Sequence, residues 1–526
     1  MKLRVGTRGS DLAMWQAHRT QGLLAGLGHE AELVIVETSG DRIQDVPLTA
    51  DLGRSFFTKE IEDALLREDI DLAVHSLKDL AVDMPPGLHL GAVPERADPR
   101  ERLLLRPGAA DPTRPLGLVE GARVGTSSPR RRRRLAELRP DLELLELRGN
   151  VPTRLAKLRR GDYDAILLAC AGLDRLGLDV DGLEVVELGP EVLPGAPGQG
   201  ALGLQCRAAD AGVRAALAAL DDDWAARTTA VERGLLKALG GGCSLPLGAF
   251  CDAADGELRL RAFLYPEAGP ALEVDLRGDD PEALVERAAA LLRPALDRPL
   301  QGRRVLLLGG PRPPRLARDL EAAGADVAFA TCFGVEALPV EADLAGCDHV
   351  LCASTTTLEV LRRAVDDGRV ALDAAATLVV PGQATARAAR ELFPDRAVVV
   401  GDPPRSLGLG RAALARGARS VAALGAEGGS ADGAEACAAA GVATRSLALY
   451  RTVPEAPRAL PADPDAVLWL APAAVRAVTP ATLAGGPRLL AMGPSTAREL
   501  EAAGVDAAVA VSPDLPGLLT ILSPGA

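Results

Sequence analysis

Short apolar runs alternate with amphipathic helical patterns from the first residues onward, and this alternation limits what the chain can fold into more than any other feature. Residues 3–6, 31–37 and 71–74 predict strands, and 11–26 and 58–67 predict helices between them. Repeated β-α-β units predict an α/β architecture with largely parallel sheets, whose ligands bind at the carboxyl ends of the strands. At 526 residues the chain has room for about three to five domains, at about 100–200 residues each. A Pro- and Gly-rich segment over 99–121 separates a first unit from a second, whose strands pass through Arg123-Val124-Gly125-Thr126 and Asp164-Ala165-Ile166-Leu167-Leu168. Pro194-Gly195-Ala196-Pro197-Gly198-Gln199-Gly200 marks another break, after which the chain returns to the first unit. Two lobes around a cleft are the expected result. The pattern restarts after 293–302, with 303–310 as a fresh strand, so the main linker is placed there. The second half is Ala-rich, as at 434–440, and its persisting apolar periodicity reads as helix rather than disorder.

Charge and cysteine usage narrow the function. Lys and Arg number 59 against 72 Asp and Glu, a net charge of −13, which argues against nonspecific nucleic-acid binding and requires any anion site to be local. The cysteines at 170, 206, 243, 251, 332, 347, 352 and 437 are scattered without a CxxC pair or a histidine at zinc-ligand spacing. The expectation is a reducing, cytoplasmic setting and no metal. Met1-Lys2-Leu3-Arg4-Val5 enters a strand at once, so no targeting peptide is expected, and no apolar run reaches the ~18 residues of a membrane span.

Three segments carry chemistry. His75-Ser76-Leu77-Lys78-Asp79 ends an apolar strand pattern; if it is extended, His75, Leu77 and Asp79 share one face and Ser76 and Lys78 the other. A carboxylate there can protonate a leaving amine and stabilise the cation that forms, although Lys78 and Asp79 could equally pair with each other or sit in water. In Gly125-Thr126-Ser127-Ser128-Pro129-Arg130-Arg131, guanidinium groups, hydroxyls and backbone N–H groups converge at a helix start, which favours anions. Arg132 to Arg134 read as a solvated helix face. Arg8, Arg148, Arg154 and Arg175 hold loop or helix-start positions of their own. In Gly240-Gly241-Gly242-Cys243-Ser244-Leu245, three glycines can let a bulky group approach the main chain beside one sulfur. The plainer alternative has the glycines stop a helix over 223–239 and leaves Cys243 as a small buried hydrophobe.

Together with Leu147-Arg148-Gly149-Asn150-Val151-Pro152-Thr153-Arg154-Leu155, these segments resemble the porphobilinogen deaminase (hydroxymethylbilane synthase) family over about 1–297. The resemblance implies a two-lobed, periplasmic-binding-protein-like fold, with one lobe from 1–98 and 195–220, the other from 99–194, and a small α+β cofactor domain over 221–297. It implies a dipyrromethane cofactor on Cys243 through a thioether, Asp79 as the acid/base group, and contributions to the cofactor site from Lys78, Ser127, Ser128, Arg130 and Arg131. Arg8, Ser76, Arg148, Arg154 and Arg175 would bind acetate and propionate groups of porphobilinogen and the growing polypyrrole. Arg54 and Lys59, in Gly53-Arg54-Ser55-Phe56-Phe57-Thr58-Lys59, would belong to a mobile cleft-facing loop, with Arg54 where the family usually has lysine.

After a linker at 298–302, residues 302–526 resemble uroporphyrinogen-III synthase. The cues include Leu351-Cys352-Ala353-Ser354-Thr355, Val380-Pro381-Gly382-Gln383-Ala384, Leu449-Tyr450-Arg451 and Met492-Gly493-Pro494-Ser495-Thr496. The resemblance implies two α/β domains, 302–336 with 455–526 around an inserted 337–454. It further implies substrate contacts at Ser354, Thr355, Ser495 and Thr496, and a Tyr450 that assists loss of the terminal hydroxyl or is simply a half-buried strand residue. Leu470-Ala471-Pro472-Ala473-Ala474-Val475 departs from the family's hydroxyl-bearing loop, which leaves open a second half without activity. A monomer is expected. A periplasmic ligand-binding protein would share the two-lobed plan but would need a secretion signal and no such cysteine loop.

Overall fold

The computed structural model describes all residues except 39–57, 242–244, 255–256, 268, 312, 402–405, 458–459, 461–462, 479–485, 511–513 and 523–526. The chain divides into two units, residues 1–301 with 321–324, and 302–320 with 325–526.

Among the described residues the first unit holds three sheets. One runs in the order Glu30–Ile35, Lys2–Thr7, Leu72–Ser76, Leu202–Arg207, Leu88–Ala92, and a second in the order Glu143–Leu145, Arg123–Gly125, Ala165–Ala169, Glu101–Leu105, Glu184–Leu188. In each sheet one strand, Leu202–Arg207 or Glu101–Leu105, pairs antiparallel with both neighbours. The expectation of largely parallel sheets therefore fails in this unit: Leu202–Arg207 re-enters the first sheet from the opposite end, and Glu101–Leu105, the first strand of the second sheet, runs against both of its neighbours. The third sheet is an antiparallel meander of Leu247–Ala254, Glu257–Leu264 and Leu272–Gly278, packed on the helices Asp223–Ala238 and Pro281–Leu292.

Local chemistry sets the helix ends near the site. Ser10 caps Asp11–Gly26 by accepting from the Ala13 N–H, Asn150 caps Val151–Arg160 with Pro152 in the first turn, and Asp222 caps Asp223–Ala238. At the 194–200 break, Gly198 and Gly200 take φ of +78° and +86°, which lets the returning chain turn tightly against Leu77 and Ala97.

The segment 75–79 is not extended throughout. Leu72–Ser76 is strand, but Leu77–Asp79 closes into a 3₁₀ turn. Leu77 is fully buried against Leu80, Val93, Ala201 and Ala225, and its N–H donates to the Ala201 carbonyl, so burying this leucine turns the chain and leaves Asp79 exposed. The shared face expected for His75, Leu77 and Asp79 does not form.

The second unit holds a five-stranded parallel sheet, Asp326–Thr331, Arg304–Gly309, Ala466–Trp469, Arg488–Ala491, Ala508–Val509. Its six-stranded sheet runs Phe333–Ala337, Ala443–Pro454, Ser420–Ala426, His349–Cys352, Thr377–Val380, Val398–Val400, parallel except where Phe333–Ala337 meets Ala443–Pro454. The parallel expectation holds here.

Candidate active site

The turn bearing Lys78 and Asp79 opens on a cavity of about 180 Å³ lined by Lys78, Asp79, Ser128, Pro129, Arg130, Arg131, Ala196, Pro197, Gln199, Leu236, Leu245 and Leu247. One side is cationic. The other is apolar and comes from the residues flanking 240–244.

Arg130 and Arg131 are held by a carboxylate the sequence did not single out. Glu101 is fully buried; its Oε1 accepts from Arg130 Nη2 at 2.6 Å and from Arg131 Nε at 3.1 Å, and its Oε2 from Arg131 Nη2 at 2.7 Å. Arg130 Nη1 donates to the Pro194 carbonyl and Arg131 Nη1 to that of Leu167. Burial would raise the Glu101 pKa, but the Arg131 and Arg130 guanidinium groups beside it override that and hold it down to about 2. The two arginines are thus oriented at the cavity wall with one of their two charges neutralised, and each keeps N–H donors beyond those engaged.

Removing this anchor should be costly. Glu101→Gln leaves two buried guanidinium groups short of their counter-charge, and a loss of about 3–5 kcal/mol is expected from denaturant midpoints. Because the folded-state pKa of Glu101 lies below its unfolded value of 4.5, its stabilisation is present above that pH and disappears as pH falls toward 2. The variant should lose less stability than the parent over that window; an unchanged acid profile would remove Glu101 from this role.

The remaining candidate residues fall around this centre. Ser127 Oγ donates to the Leu147 carbonyl at 2.9 Å and accepts from the Leu147 N–H at 3.0 Å, tying the 125–131 and 147–155 segments together. Arg154 is half-buried and its Nε donates to the Gly149 carbonyl. Burial pushes its pKa down to about 10, Arg131 and Arg148 push the same way and Asp79 opposes them, so all three charges act on it. Lys78 is half-buried, with Nζ 3.4 Å from Gln199 Oε1; burial lowers its pKa and Asp79 opposes that shift. Arg175 donates to the Gly200 carbonyl at 2.7 Å and lies over the Trp15 ring at 5.6 Å; burial lowers its pKa to about 10. Ser76 Oγ accepts from Gln16 Nε2 at 2.9 Å. Arg8 is half-buried, and its charge bears on His75. That imidazole is buried against Gln205 Oε1 at 3.1 Å and is driven by burial to a pKa of about 4, so it stays neutral.

Two expectations are corrected and two positions cannot be placed. Arg132 to Arg134 are not a solvated face: Arg134 is buried and bonds the Val192 carbonyl, Glu137 and Glu273, Arg133 bonds carbonyls of Pro266 and Glu267, and Arg132 that of Leu144. Lys59 does not lie in a loop; it is exposed and opens the helix Lys59–Leu66. Cys243 and Arg54 lie outside the described residues.

In the second unit, Ser354 caps the helix Thr355–Asp366 by accepting from the Thr357 N–H at 3.1 Å, and its Oγ lies 3.3 Å from the hydroxyl of buried Tyr450. Thr355 is exposed at that helix start. Ser495 and Thr496, the latter buried, stand on the helix Pro494–Ala502 that follows a strand of the five-stranded sheet.

Comparison with known proteins accounts for both halves. A family model described as porphobilinogen deaminase, dipyromethane cofactor binding domain, matches residues 3–215, and the model of that family's C-terminal domain matches 226–293. The chain is 48% identical over 273 residues to a porphobilinogen deaminase of Sphingopyxis alaskensis, covering 51% of this chain and 85% of that protein. It is 46% identical over 312 residues to one of a Roseiflexus species, covering 58% and 99%.

The chain belongs to the porphobilinogen deaminase family.

The chain also carries a second family's domain, since the model of uroporphyrinogen-III synthase HemD matches residues 382–520. A uroporphyrinogen-III synthetase structure from Helicobacter pylori overlaps 42% of this chain and 97% of its own at 12% identity, with a TM-score of 0.30 that adds no weight. The deaminase family places the chain in haem biosynthesis, at the formation of hydroxymethylbilane, and the fused synthase domain belongs to the same route. Residues 3–215 match a dipyrromethane-binding domain, and the cavity residues suit such a group: Lys78, Arg130 and Arg131 are donors for its carboxylates, and Pro197, Leu236, Leu245 and Leu247 offer apolar surface to its rings. Among the described residues no helix is long and apolar enough to cross a membrane, and no group of three His, Cys, Asp or Glu side chains could hold a metal ion.

Proposed function

We propose that the first half joins four porphobilinogen units into hydroxymethylbilane, with release of ammonia, on a dipyrromethane held by Cys243 through a thioether, and that the second half closes this product to uroporphyrinogen III with inversion of ring D. The cavity carries the first part, since Asp79 and the anchored Arg130 and Arg131 face the leucines that flank Cys243 in sequence. Cysteine chemistry supports the attachment point. The other seven cysteines are all buried, and burial raises the thiol pKa of Cys170, Cys251 and Cys352 to about 12 and of Cys332 to about 11, far from the thiolate that attachment needs.

When bound, the dipyrromethane supplies the pyrrole carbon at which chain growth begins. Asp79 protonates the departing amine of porphobilinogen, stabilises the methylene cation left behind, and takes back the proton released when the new carbon–carbon bond forms. Arg8, Arg130, Arg131, Arg148, Arg154 and Arg175, with Arg54 and Lys59, bind acetate and propionate groups, while Ser76 and Ser128 offer hydroxyls. Ser127 acts by holding its loop, because its hydroxyl is engaged with Leu147. In the second half, Ser354, Thr355, Ser495 and Thr496 bind substrate carboxylates, and Tyr450 assists departure of the terminal hydroxyl, its own hydroxyl oriented by Ser354.

We assign the lobes to 1–98 with 195–220 and to 99–194, the cofactor domain to 221–297, the linker to 298–302, and the synthase to 302–336 with 455–526 around 337–454. The protein is assigned as a cytoplasmic monomer that does not engage nucleic acid.

The test supplies porphobilinogen to the purified chain, oxidises the products and separates type I from type III uroporphyrin. Predominant type III supports both halves, predominant type I makes the second half non-catalytic, and no porphyrin from cofactor-bearing protein overturns the reading. Tyr450→Phe should leave ammonia release unchanged and slow ring closure by about 10²-fold, shifting product to type I, which forms spontaneously. Unchanged isomer ratios would remove Tyr450.

A further inference from the structure

The turn that carries Asp79 is gripped from outside its own lobe. Arg233, on the helix Asp223–Ala238, is 9% exposed; its Nη1 donates to the carbonyls of Leu77 at 3.0 Å and Leu80 at 2.8 Å, and its Nη2 to that of Ala81 at 2.8 Å. A strand that stops in a single 3₁₀ turn leaves carbonyls without ladder partners, and one planar guanidinium collects three of them. The preceding residue fixes the helix that presents this group. Fully buried Glu232 accepts from both terminal nitrogens of Arg96 at 2.9 Å, from the Gly198 N–H at 2.8 Å and from the Cys251 N–H at 2.8 Å. Arg96 also donates to the Gln199 carbonyl, so both crossings between the two lobes are tied to this one helix position.

We propose that Arg233 is a positioning residue for deamination: it holds the Leu77–Asp79 turn in place so that the Asp79 carboxylate keeps its position at the cavity mouth. The inference rests on the reading of Asp79 as the acid/base group. Asp79 is exposed and only two residues from the anchored Leu77, so its place depends on the backbone of this turn more than on contacts of its own. A displacement of about 1 Å at a reacting group costs on the order of 10²-fold in rate, which a loosened turn would impose without altering the cationic wall that binds substrate.

The experiment uses the full, cofactor-bearing chain with porphobilinogen as substrate. Arg233→Met keeps the side-chain stem and removes the donors. It should lower kcat by about 10- to 100-fold with KM within about threefold and an unchanged intact-mass adduct. Arg233→Lys, whose ammonium can reach only part of the carbonyl set, should recover some of the loss. In an Asp79→Asn background, Arg233→Met should cost less than about threefold more, because both changes remove the same function. An unchanged kcat in Arg233→Met, a full additional loss in the Asp79→Asn background, or loss of the adduct would each overturn the proposal. Should the Met variant fail to fold, a Lys variant with wild-type kcat overturns it equally. Wild-type turnover by Asp79→Asn alone would instead sink the reading of Asp79, whatever Arg233 does.

Discussion

Asp79→Asn should release ammonia from porphobilinogen about 10²- to 10⁴-fold more slowly than the parent, with little change in melting temperature. The two halves of this expectation have separate causes. Asp79 is exposed, so exchanging its carboxylate for an amide of nearly the same shape disturbs no packing. The functional cost arises from what surrounds it. The charges of Lys78 and Arg154 are felt at Asp79, and Arg130 and Arg131 line the same cavity. This set suits carboxylates, but it opposes a positive charge developing at a methylene carbon. Asp79 is the carboxylate at the cavity that Glu101, consumed by its two arginines, cannot replace. An amide neither donates the proton that the leaving amine needs nor offsets that positive field. Ammonia release near the parent rate would remove Asp79 from the mechanism.

Cys243→Ser should yield a chain without a covalent adduct and with turnover reduced to background. Serine preserves size and polarity, but its hydroxyl does not ionise near neutral pH and cannot form the thioether. The arginines of the cavity could still gather a free polyanion, so the loss would appear first as a missing mass and then as missing catalysis. No other cysteine of the described residues is placed to substitute, since all seven are buried. A full adduct on the Cys243→Ser chain would refute the attachment.

Local features were the most legible in the sequence. The helix Asp11–Gly26 is found where the apolar spacing put it, because Ser10 supplies a cap and Gly28, at φ +78°, supplies the stop as its N–H and that of His29 donate back to the Ala25 and Leu24 carbonyls. The helices opening at Pro129 and Val151 likewise follow their Ser128 and Asn150 cap positions. What stayed hidden depends on partners distant in sequence. Glu101 sits at the start of the 99–121 segment, which reads as a divider between units; only the sheet pairing of Glu101–Leu105 with Ala165–Ala169 brings it beneath Arg130 and Arg131, about thirty residues on. Arg134 reads as solvated until Glu273 and the Val192 carbonyl arrive from other segments. The turn at Leu77–Asp79 could not be told from continued strand, since the Ala201 carbonyl that captures the Leu77 N–H lies far later in the chain, just before the strand Leu202–Arg207. The three carbonyls held by Arg233 are invisible for the same reason: a guanidinium buried on backbone oxygens has no partner residue type to search for.

The central claim is that this cavity works on a dipyrromethane anchored at one sulfur. The most direct test is the intact mass of the resting, active full-length protein, followed by digestion to find which peptide carries any excess. An excess of one dipyrromethane over the 54.4 kDa polypeptide is expected, recovered on the peptide that contains Cys243. An active protein at its bare sequence mass, or an excess on a peptide with any other cysteine, would contradict it.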